Sequence, residues 1–418
     1  MDIPQGYKQT ELGIIPEDWE IVNLGSVAKI NGRIGFRGYT TADLVGVGQG
    51  AYTIGGKHIT NMVLDLHDAE YISWQKYYES PEIMVRKGDI VFAQRGTLGK
   101  SAFIVNDIGP ATINPSLVLI NKIKCDNEYL SYWLQCDKIV EYICSINSQT
   151  SIPMITQNQI EHIPVVLSRI KAEQQAIAET LGDIDGLIAT LDKKIAKKRL
   201  IKQGAMQQLL TGKKRLPGFS DPWVEKKFSD LYRYASEGGT PDTNNMRFYA
   251  NGDVPFVKIE DTETKYIESC NSFITSEGIN NSSAWIVPVN SIIYTNGATI
   301  GNVSINKIPV ATKQGILGII PSSIINLEFM YYLLLSQNFK REVDSRQAKG
   351  TFATIILKSL DEIPIYLPLN QMEQIAIATI LSDMDKEIAD LEAQRDKYRL
   401  LKSGMMQKLL TGQIRLTV

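Results

Sequence analysis

The sequence has 418 residues, more than one ordinary hydrophobic core holds, and this length predicts two or three domains. Hydrophobic residues make up 44% and charged residues 22% of the chain, which is typical of a globular protein in water. The formal net charge of −2 excludes a chain that binds nucleic acid through overall positive charge, so any such surface has to be local.

The sequence carries no signal for membrane insertion, export or metal binding. Its apolar runs are shorter than the roughly 18 residues that a membrane helix needs. Residues 1–4 lack the basic and apolar parts of a secretory signal, so we expect a cytoplasmic protein with no membrane segment. The 3 histidines and 4 cysteines show neither metal-ligand spacing nor a CxxC pair, which predicts reduced thiols and no bound metal or cofactor.

An internal duplication dominates the sequence. Residues 173–216 match residues 373–416 without a gap, and more than half of the aligned positions are identical. Chance does not produce such a match, so the sequence indicates a tandem duplication with pseudo-twofold character. The shared residues include Glu173 and Glu373, Gln174 and Gln374, Asp185 and Asp385, and Leu-Leu-Thr-Gly at 209–212 and 409–412. Trp19 and Trp223 match more weakly.

The first predicted domain covers residues 1–165. A β-rich run at 85–92 precedes a glycine loop at 95–99, and an amphipathic stretch at 127–144 predicts a helix. The combination favours an α+β domain. The loop at 95–99 resembles residues 296–301 of the second repeat. Aligned on their glycines, the loop of the second repeat is one residue longer.

Residues 166–216 predict one long helix that acts as a spacer. Apolar residues recur at spacings of three and four, the pattern of a helix seam, and a helix of about 40 residues would be about 60 Å long. Residues 166–215 hold 11 basic and 5 acidic side chains. That surplus is typical of a solvated helix face, or alternatively of a basic patch facing DNA or a partner. The seam residues are Leu181, Ile184, Ile188 and Leu191.

The second repeat predicts the same arrangement. Residues 217–367 form the second domain, with a β-rich run at 286–294 and a helix at 327–343, and residues 368–418 form the second helical spacer. A lone helix cannot bury its seam, so we expect the two helices to pair as an antiparallel coiled coil. Seam residues in this copy are Leu381, Met384, Ile388 and Leu391.

The loop from Gly96 to Ser101 comes close to a phosphate-binding motif. Gln94 stands where the motif needs its first glycine, and the residues that follow predict a strand, although a phosphate-binding loop has to open a helix. We therefore expect no nucleotide site. A tight glycine turn that brings Arg95 or Lys100 to a DNA backbone is the favoured interpretation.

Two other functions remain open from the residues alone. Asp242, Glu263 and Lys265 fit the loose pattern of metal-dependent nucleases, in which carboxylates hold the ion that activates water. The first repeat has no counterpart of this pattern. A coiled-coil scaffold whose duplicated domains bind proteins would explain the helices equally well.

Taken together, the motifs resemble those of the specificity subunit of type I restriction–modification systems over essentially the whole chain. One departure is Asn31-Gly32-Arg33, which stands in the first domain where the second has Gly-Gly-Thr-Pro. The resembling pieces are residues 7–19, Gly-Gly-Thr-Pro at 238–241, Gly-Thr-Leu-Gly at 96–99, and the Ile-Pro, Glu-Gln and Leu-Leu-Thr-Gly motifs around each long helix.

The resemblance implies a non-catalytic DNA-binding subunit. Each domain would be a target recognition domain that reads one half of a split sequence. The helices would set the gap and dock two methyltransferase (modification) subunits, with a restriction subunit as a further partner. Base readout needs polar side chains on loops. The candidates for DNA contact are Arg33, Lys57, Arg95, Gly96, Thr97, Lys100 and Gln149 in the first domain and Lys258, Asn296, Thr299, Lys313, Gln314 and Lys349 in the second.

Overall fold

The computed structural model describes residues 3–60, 62–146, 153–347 and 354–416. The chain divides into two compact units, which we call unit 1 (residues 1–192 and 393–418) and unit 2 (residues 193–392). Each unit contains one of the globular parts inferred from the sequence and segments of both long helices. Both units mix strands and helices, which confirms the α+β class.

The strands of unit 1 form two four-stranded sheets and three two-stranded pairings. One sheet has the order β11-β10-β13-β4, and the other has the order β12-β6-β9-β5. The strands are β1 (Tyr7–Thr10), β2 (Gly13–Pro16), β3 (Trp19–Asn23), β4 (Lys29–Gly32), β5 (Leu44–Val45), β6 (Gly50–Ile54), β7 (Ile59–Thr60), β8 (Val63–Leu64), β9 (Glu70–Ser73), β10 (Ile90–Ala93), β11 (Ser101–Phe103), β12 (Ala111–Ile113), β13 (Leu117–Asn121) and β14 (Pro164–Ser168).

The helices of unit 1 lie between and after these strands. They are α1 (Leu24–Val27), α2 (Trp74–Tyr78), α3 (Asn127–Trp133), α4 (Asp137–Ile146), α5 (Gln157–Glu161) and the long helix α6 (Lys171–Leu209), which continues into unit 2.

Alternation of side chains along β13 explains how the layers of unit 1 pack. Val118 and Ile120 lie in a core with α3 and the start of α6, whereas Leu117 and Leu119 lie in a second core with β6 and β12. Successive side chains of a strand point to opposite faces. The β13 sheet therefore carries helices on one face and the second sheet on the other.

The described strands of unit 2 also form two larger sheets, of five and four strands, where those of unit 1 have four strands each. Its larger sheet has the order β16-β24-β21-β22-β18, and the smaller has the order β19-β17-β23-β20. The strands are β15 (Val224–Lys227), β16 (Tyr232–Glu237), β17 (Val254–Val257), β18 (Tyr266–Ile267), β19 (Phe273–Ile274), β20 (Ile286–Val287), β21 (Ile292–Thr295), β22 (Val303–Asn306), β23 (Val310–Thr312), β24 (Ile316–Pro321) and β25 (Pro364–Leu367).

The same alternation separates two cores in unit 2. Leu317 and Ile319 of β24 pack with α8 and the start of α11, whereas Ile316 packs with β17 and β23. The helices are α7 (Ser276–Asn280), α8 (Leu327–Leu334), α9 (Gln337–Arg346), α10 (Leu357–Asp361) and the long helix α11 (Gln371–Leu409).

Two of the predicted helices were wrong in being continuous. The helices expected at 127–144 and 327–343 are each two helices, and Ser336 starts the second of these in unit 2 by accepting a hydrogen bond from Phe339 N at 3.3 Å. The β-rich runs at 85–92 and 286–294 contain turns, because Gly88 and Asn290 adopt φ of 91° and 59°. Local turn and capping chemistry overrode the hydrophobic pattern.

The two long helices have 39 residues each, which confirms the predicted length. Each is followed by a glycine in the left-handed region, Gly212 and Gly412, both with φ of 69°. A Cβ on Gly412 would come within 2.5 Å of the Pro16 ring. No helix in the described ranges is both long enough and apolar enough to span a membrane.

Segments of α6 and α11 are linked by ion pairs inside each unit. In unit 1, Asp185 pairs with Lys402 at 2.8 Å and Asp192 with Arg395 at 3.5 Å. In unit 2, Lys198 pairs with Glu387 at 2.6 Å. Arg199 and Lys202 also pair with carboxylates of α11. Together with Lys198, three basic residues of α6 therefore have acidic partners on α11 inside unit 2.

Candidate functional site

Three loops of unit 1 meet at one edge of the fold. Strands β6 and β12 are parallel, so their carboxyl ends lie side by side. Asn114 N donates to Ile54 O at 2.8 Å, and the amides of Gln94 and Arg95 donate to Ser116 O at 3.0 and 3.2 Å. These bonds join loop A (residues 94–100), loop B (residues 114–116) and loop C (residues 55–58), which together form the loop cluster of unit 1.

Unit 2 contains the same loop cluster. Lys313 N donates to Val257 O at 3.1 Å, and the amides of Asn296 and Gly297 donate to Gly315 O at 2.9 and 3.2 Å. The backbone scaffold is therefore shared by the two units. Here loop A is residues 296–302, loop B residues 313–315 and loop C residues 258–261.

Loop A has the same length in both units, so the extra residue inferred from the sequence was wrong. In unit 1, Ala93 N donates to Lys100 O at 2.8 Å, and in unit 2, Thr295 N donates to Asn302 O at 3.0 Å. Ala93 thus corresponds to Thr295, and six residues separate the ends in both copies. The sequence alignment was out of register by one residue because it matched Gly96 to Gly297. In the structure, Arg95 occupies the backbone position of Gly297.

The equivalent positions carry different side chains. Only the threonine of loop A is kept among the candidates for DNA contact, as Thr97 and Thr299. The same backbone therefore presents different hydrogen-bonding groups in each unit. The differing pairs are Arg95 and Gly297, Lys100 and Asn302, Asn114 and Lys313, Ser116 and Gly315, and Gly55 and Lys258.

Most of the predicted contact residues are exposed within these clusters. Lys57, Arg95, Gly96, Thr97 and Lys100 are exposed in unit 1. Lys57 lies 3.4 Å from Asp68, an exposed pair that leaves the ammonium accessible. In unit 2, the exposed residues are Thr299, Lys313 and Gln314, and Lys258 is half-buried.

Two predicted contact residues are buried instead. Arg33 is 8% exposed, and its guanidinium donates to Ile113 O at 3.2 Å and to Thr112 Oγ1 at 3.1 Å. Burial lowers the pKa of Arg33. Asn296 is 4% exposed, and its Nδ2 donates to Ile355 O at 3.1 Å. Both side chains are occupied inside their own unit.

Gln149 and Lys349, the remaining candidates, lie outside the described residues.

The predicted seam residues are divided between two environments. Leu181 lies in the hydrophobic core of unit 1 and Leu381 in that of unit 2, against the globular parts. Further along the helices, Ile184, Leu191 and Ile388 are buried, whereas Ile188, Met384 and Leu391 are half-buried.

A buried Trp–Glu–Arg contact, which we call the anchor, fastens each long helix to its unit. In unit 1, Trp19 Nε1 donates to Glu173 at 3.2 Å, and Arg415 donates two bonds to the same carboxylate at 2.5 and 3.0 Å. In unit 2, Trp223 Nε1 donates to Glu373 at 3.3 Å, and Arg215 donates at 2.7 and 2.9 Å.

The Glu-Gln motif that opens each long helix has a structural role in both halves. Gln174 Oε1 accepts from Asp126 N at 2.8 Å, which holds the start of α3. Gln374 Oε1 likewise accepts from Asn326 N at 2.6 Å, which holds the start of α8. The sequence showed that these residues recur, but only the fold shows what they hold.

A second recurring contact, which we call the latch, joins three helices in each unit. In unit 1, Tyr132 OH of α3 donates to Asp185 of α6 at 2.8 Å, and Lys402 of α11 pairs with the same carboxylate at 2.8 Å. Lys402 Nζ also lies 5.1 Å from the centre of the Tyr132 ring. Burial, aided by the Asp185 charge, raises the pKa of Tyr132, so its hydroxyl remains a donor.

The latch of unit 2 uses the equivalent residues. Tyr332 OH of α8 donates to Asp385 of α11 at 2.7 Å, and Lys202 of α6 pairs with the same carboxylate. Lys202 Nζ lies 5.4 Å from the centre of the Tyr332 ring. The two tyrosines were not singled out from the sequence, although they recur at the same spacing as the long helices.

A groove lies beside each latch. The groove of unit 2 encloses about 610 Å³ and that of unit 1 about 200 Å³. Their helix side is nearly identical, whereas the side formed by the globular part differs at every position. The paired helix residues are Arg199 and Arg399, Lys202 and Lys402, Gln203 and Ser403, Met206 and Met406, Gln207 and Gln407, and Thr211 and Thr411.

The residues of the nuclease pattern have other partners. Asp242 accepts from Asn244 N at 3.0 Å, and Lys265 pairs with Glu328 at 2.7 Å. Within the part of the chain that the structure describes, no three acidic, histidine or cysteine side chains are grouped as a metal site would require. Loop A of unit 1 is followed by the strand β11, so it does not open a helix as a phosphate-binding loop does.

A family model for the type I restriction modification DNA specificity domain matches the chain twice, at residues 16–198 and 220–398. The chain therefore belongs to this family of type I restriction–modification specificity proteins. A relative from Methanocaldococcus jannaschii, described as a putative type I restriction enzyme MjaX specificity subunit, is 26% identical over 98% of this chain and 97% of its own.

Solved structures show the same fold. One, described as the S subunit of a type I restriction-modification system from M. genitalium, is 15% identical and covers 98% of both chains with a TM-score of 0.56. Another, from work on complex assembly and conformational transition of the type I R-M system, is 16% identical and has a TM-score of 0.61. It covers 96% of this chain and 99% of the other.

Proposed function

We propose that this chain is the DNA-reading subunit of a type I restriction–modification complex, in which each unit reads one half of a split target. The observation that carries the proposal is the pair of loop clusters. They share a backbone scaffold but differ in side chains at five pairs of equivalent positions. Shared scaffold with different hydrogen-bonding groups is what the reading of two different half-sites requires.

In the first unit the contacts would come from Lys57, Arg95, Thr97 and Lys100, with the exposed Gly96 allowing close approach of the backbone. In the second they would come from Lys258, Thr299, Lys313 and Gln314. The cations suit phosphate oxygens or guanine, and Gln314 suits adenine. Local groups of cations, three in the loop cluster of unit 1 and two in that of unit 2, would also explain how a chain of net charge −2 binds DNA.

For this function we divide the chain into recognition domains at residues 1–165 and 217–367 and helical spacers at residues 166–216 and 368–418. The spacers would pair as an antiparallel coiled coil. The ion pairs within each unit support this arrangement, because partner numbers fall on α11 as they rise on α6: Asp185 with Lys402, then Asp192 with Arg395. A rigid pair tens of ångströms long suits two half-sites about one DNA turn, roughly 34 Å, apart.

The partners would be two copies of a methyltransferase (modification) subunit, with a restriction subunit joining them in the cytoplasm. The two grooves support this number, because five of the six helix positions that line both grooves carry the same residue. Similar helix surfaces next to different recognition domains are what two copies of one partner would require. The chain itself would direct methylation and cleavage without a catalytic residue or a cofactor.

The test is to co-express the full chain with its modification subunit and to map methylated adenines across a genome. A split sequence motif with one fixed gap is the expected result. Methylation of a continuous motif would contradict the proposal. A complex that lacks strong, salt-sensitive DNA binding would favour the scaffold alternative.

A further inference from the structure

We infer that the two latches, Tyr132–Asp185–Lys402 and Tyr332–Asp385–Lys202, are positioning contacts that set the gap the complex accepts between its half-sites. This inference rests on the proposed function, and it concerns residues that touch neither DNA nor a reacting group. Its basis is the geometry of each latch inside its own unit.

Each latch gathers three helices onto one carboxylate. In unit 1, the hydroxyl of Tyr132 and the ammonium of Lys402 both lie 2.8 Å from Asp185. Tyr132 belongs to α3, which packs against the sheet that ends in loops A and B, whereas the other two residues belong to the long helices. The direction in which the recognition domain leaves the helices thus depends on this carboxylate.

The latch is placed where electrostatic contacts are strong. The Lys402 side chain is 12% exposed and that of Lys202 is 19% exposed, so water screens both ion pairs only partly. Hydrogen bonds with an ionised partner are shorter and stronger than neutral ones. Each tyrosine ring also lies beside its lysine, within 5.1 Å in unit 1 and 5.4 Å in unit 2.

Comparison of the two repeats supports a positioning role for the latch rather than a role in stability alone. The loop clusters differ at five pairs of equivalent positions, yet all three latch residues are the same in both units. The Trp–Glu–Arg anchor already fastens each domain through a carboxylate that is at most 1% exposed. The latch adds an attachment twelve residues further along the same helix, beyond the contact that Gln174 or Gln374 makes next to the anchor. Attachments at both ends of a helix segment fix its orientation better than attachments at one end.

The experiment uses the full complex of this chain with its modification subunit. Methylation is measured on DNA molecules that carry both half-sites at the natural gap or at gaps one base pair shorter or longer. The variants are Tyr132→Phe, Tyr332→Phe and the double variant. Each removes one hydroxyl and keeps the ring, so the fold should be retained.

The matched control is Tyr232→Phe. Tyr232 OH donates to Asp361 at 2.5 Å inside unit 2, so the same chemical group is lost without touching a long helix.

We expect each latch variant to lower the preference for the natural gap roughly tenfold or more, the effect of losing one hydrogen bond to a charged group. The double variant should lower it further, and the bases read in each half-site should stay the same. The control should keep the wild-type gap profile.

An unchanged gap profile in the double variant, with an intact complex, would overturn the inference and leave the proposed function standing. A change in the bases read would also overturn it, because the latch would then act on the loop clusters. If the wild-type complex methylates no split target at any gap, the proposed function fails and the inference fails with it.

Discussion

The two units share a fold, an anchor and a latch. They differ in the residues that surround the negative charge of a glutamate beside the latch, which is Glu128 in unit 1 and Glu328 in unit 2. In unit 2, Glu328 pairs with Lys265 at 2.7 Å and accepts from Tyr266 OH at 2.8 Å. Tyr266 belongs to β18, the strand that unit 2 adds to the edge of its larger sheet. Burial and the bond to Glu328 raise the pKa of Tyr266 to about 12.

The equivalent Glu128 of unit 1 lies in a different electrostatic environment. Within the described ranges it has no cationic partner, and burial raises its pKa, with Asp126 and Asp185 adding to the effect. The duplicated helices thus tolerate different surroundings for the same acid. Strand β18 shows how: a short added segment in one repeat changes the charge balance around a contact that both repeats keep.

The anchors give the largest expected effect. Arg215→Met in unit 2 should destabilise the protein by about 3 kcal/mol or more, because it leaves the fully buried Glu373 without its cation. Arg415→Met in unit 1 should cost less, since Glu173 keeps a second donor in Ser168 Oγ at 2.5 Å.

Urea unfolding of the two anchor variants measures this difference. A loss for Arg415→Met as large as that for Arg215→Met would contradict this prediction.

The glycines that follow the long helices give the next effect. Gly412→Ala should cost about 2–3 kcal/mol, because it combines a left-handed backbone with a Cβ only 2.5 Å from the Pro16 ring. Gly212→Ala has the same φ, but its Cβ would lie 3.2 Å from Trp223, so about 1 kcal/mol is expected. Thermal unfolding of the two variants compares them, and a larger loss for Gly212→Ala would contradict the packing described here.

Substitution of the glutamate beside each latch should have opposite effects in the two units. Glu328→Gln should destabilise the protein by about 1–2 kcal/mol, because Lys265, whose side chain is 16% exposed, loses its partner. Glu128→Gln should stabilise it slightly, because an unpaired charge is removed. Melting temperatures at neutral pH test both, and a shift of the same sign in the two variants would refute the contrast between the units.

The smallest expected effect is on the pH dependence of the free energy of unfolding, through Glu128 of unit 1. The pKa of Glu128 is raised above its ordinary 4.5, so the folded state holds this proton more tightly than the unfolded state. Stability from this group is therefore present below pH 4.5 and is lost as the pH rises through the raised pKa. Glu128→Gln should match wild type at low pH and be slightly more stable than wild type at pH 7, with solvent screening keeping the difference small. A constant difference at every pH would contradict the assignment.

The sequence predicted the parts of the fold that depend on repetition and periodicity. The duplicated helices of 39 residues and the α+β class followed from the match of residues 173–216 to 373–416. The continuous helix expected across residues 134–136 was wrong, because hydrophobic spacing does not show where one helix ends and the next begins.

Contacts between residues far apart in the chain could not be predicted from the sequence. The buried state of Arg33 depends on Ile113 and Thr112, nearly 80 residues away. The latch depends on Tyr132 and Lys402, which are 270 residues apart. Identity between the repeats marked the helix residues as important without saying what they touch.

The measurement that tests the central claim most directly maps methylated adenines for the wild-type complex and for a variant with Lys313→Ala and Gln314→Ala in loop B of unit 2. The account predicts that sequence preference is relaxed in one half-site only, while the other half-site and the gap are unchanged. A change in both half-sites, or in the gap, would contradict the claim that each unit reads its own half through its own loop cluster.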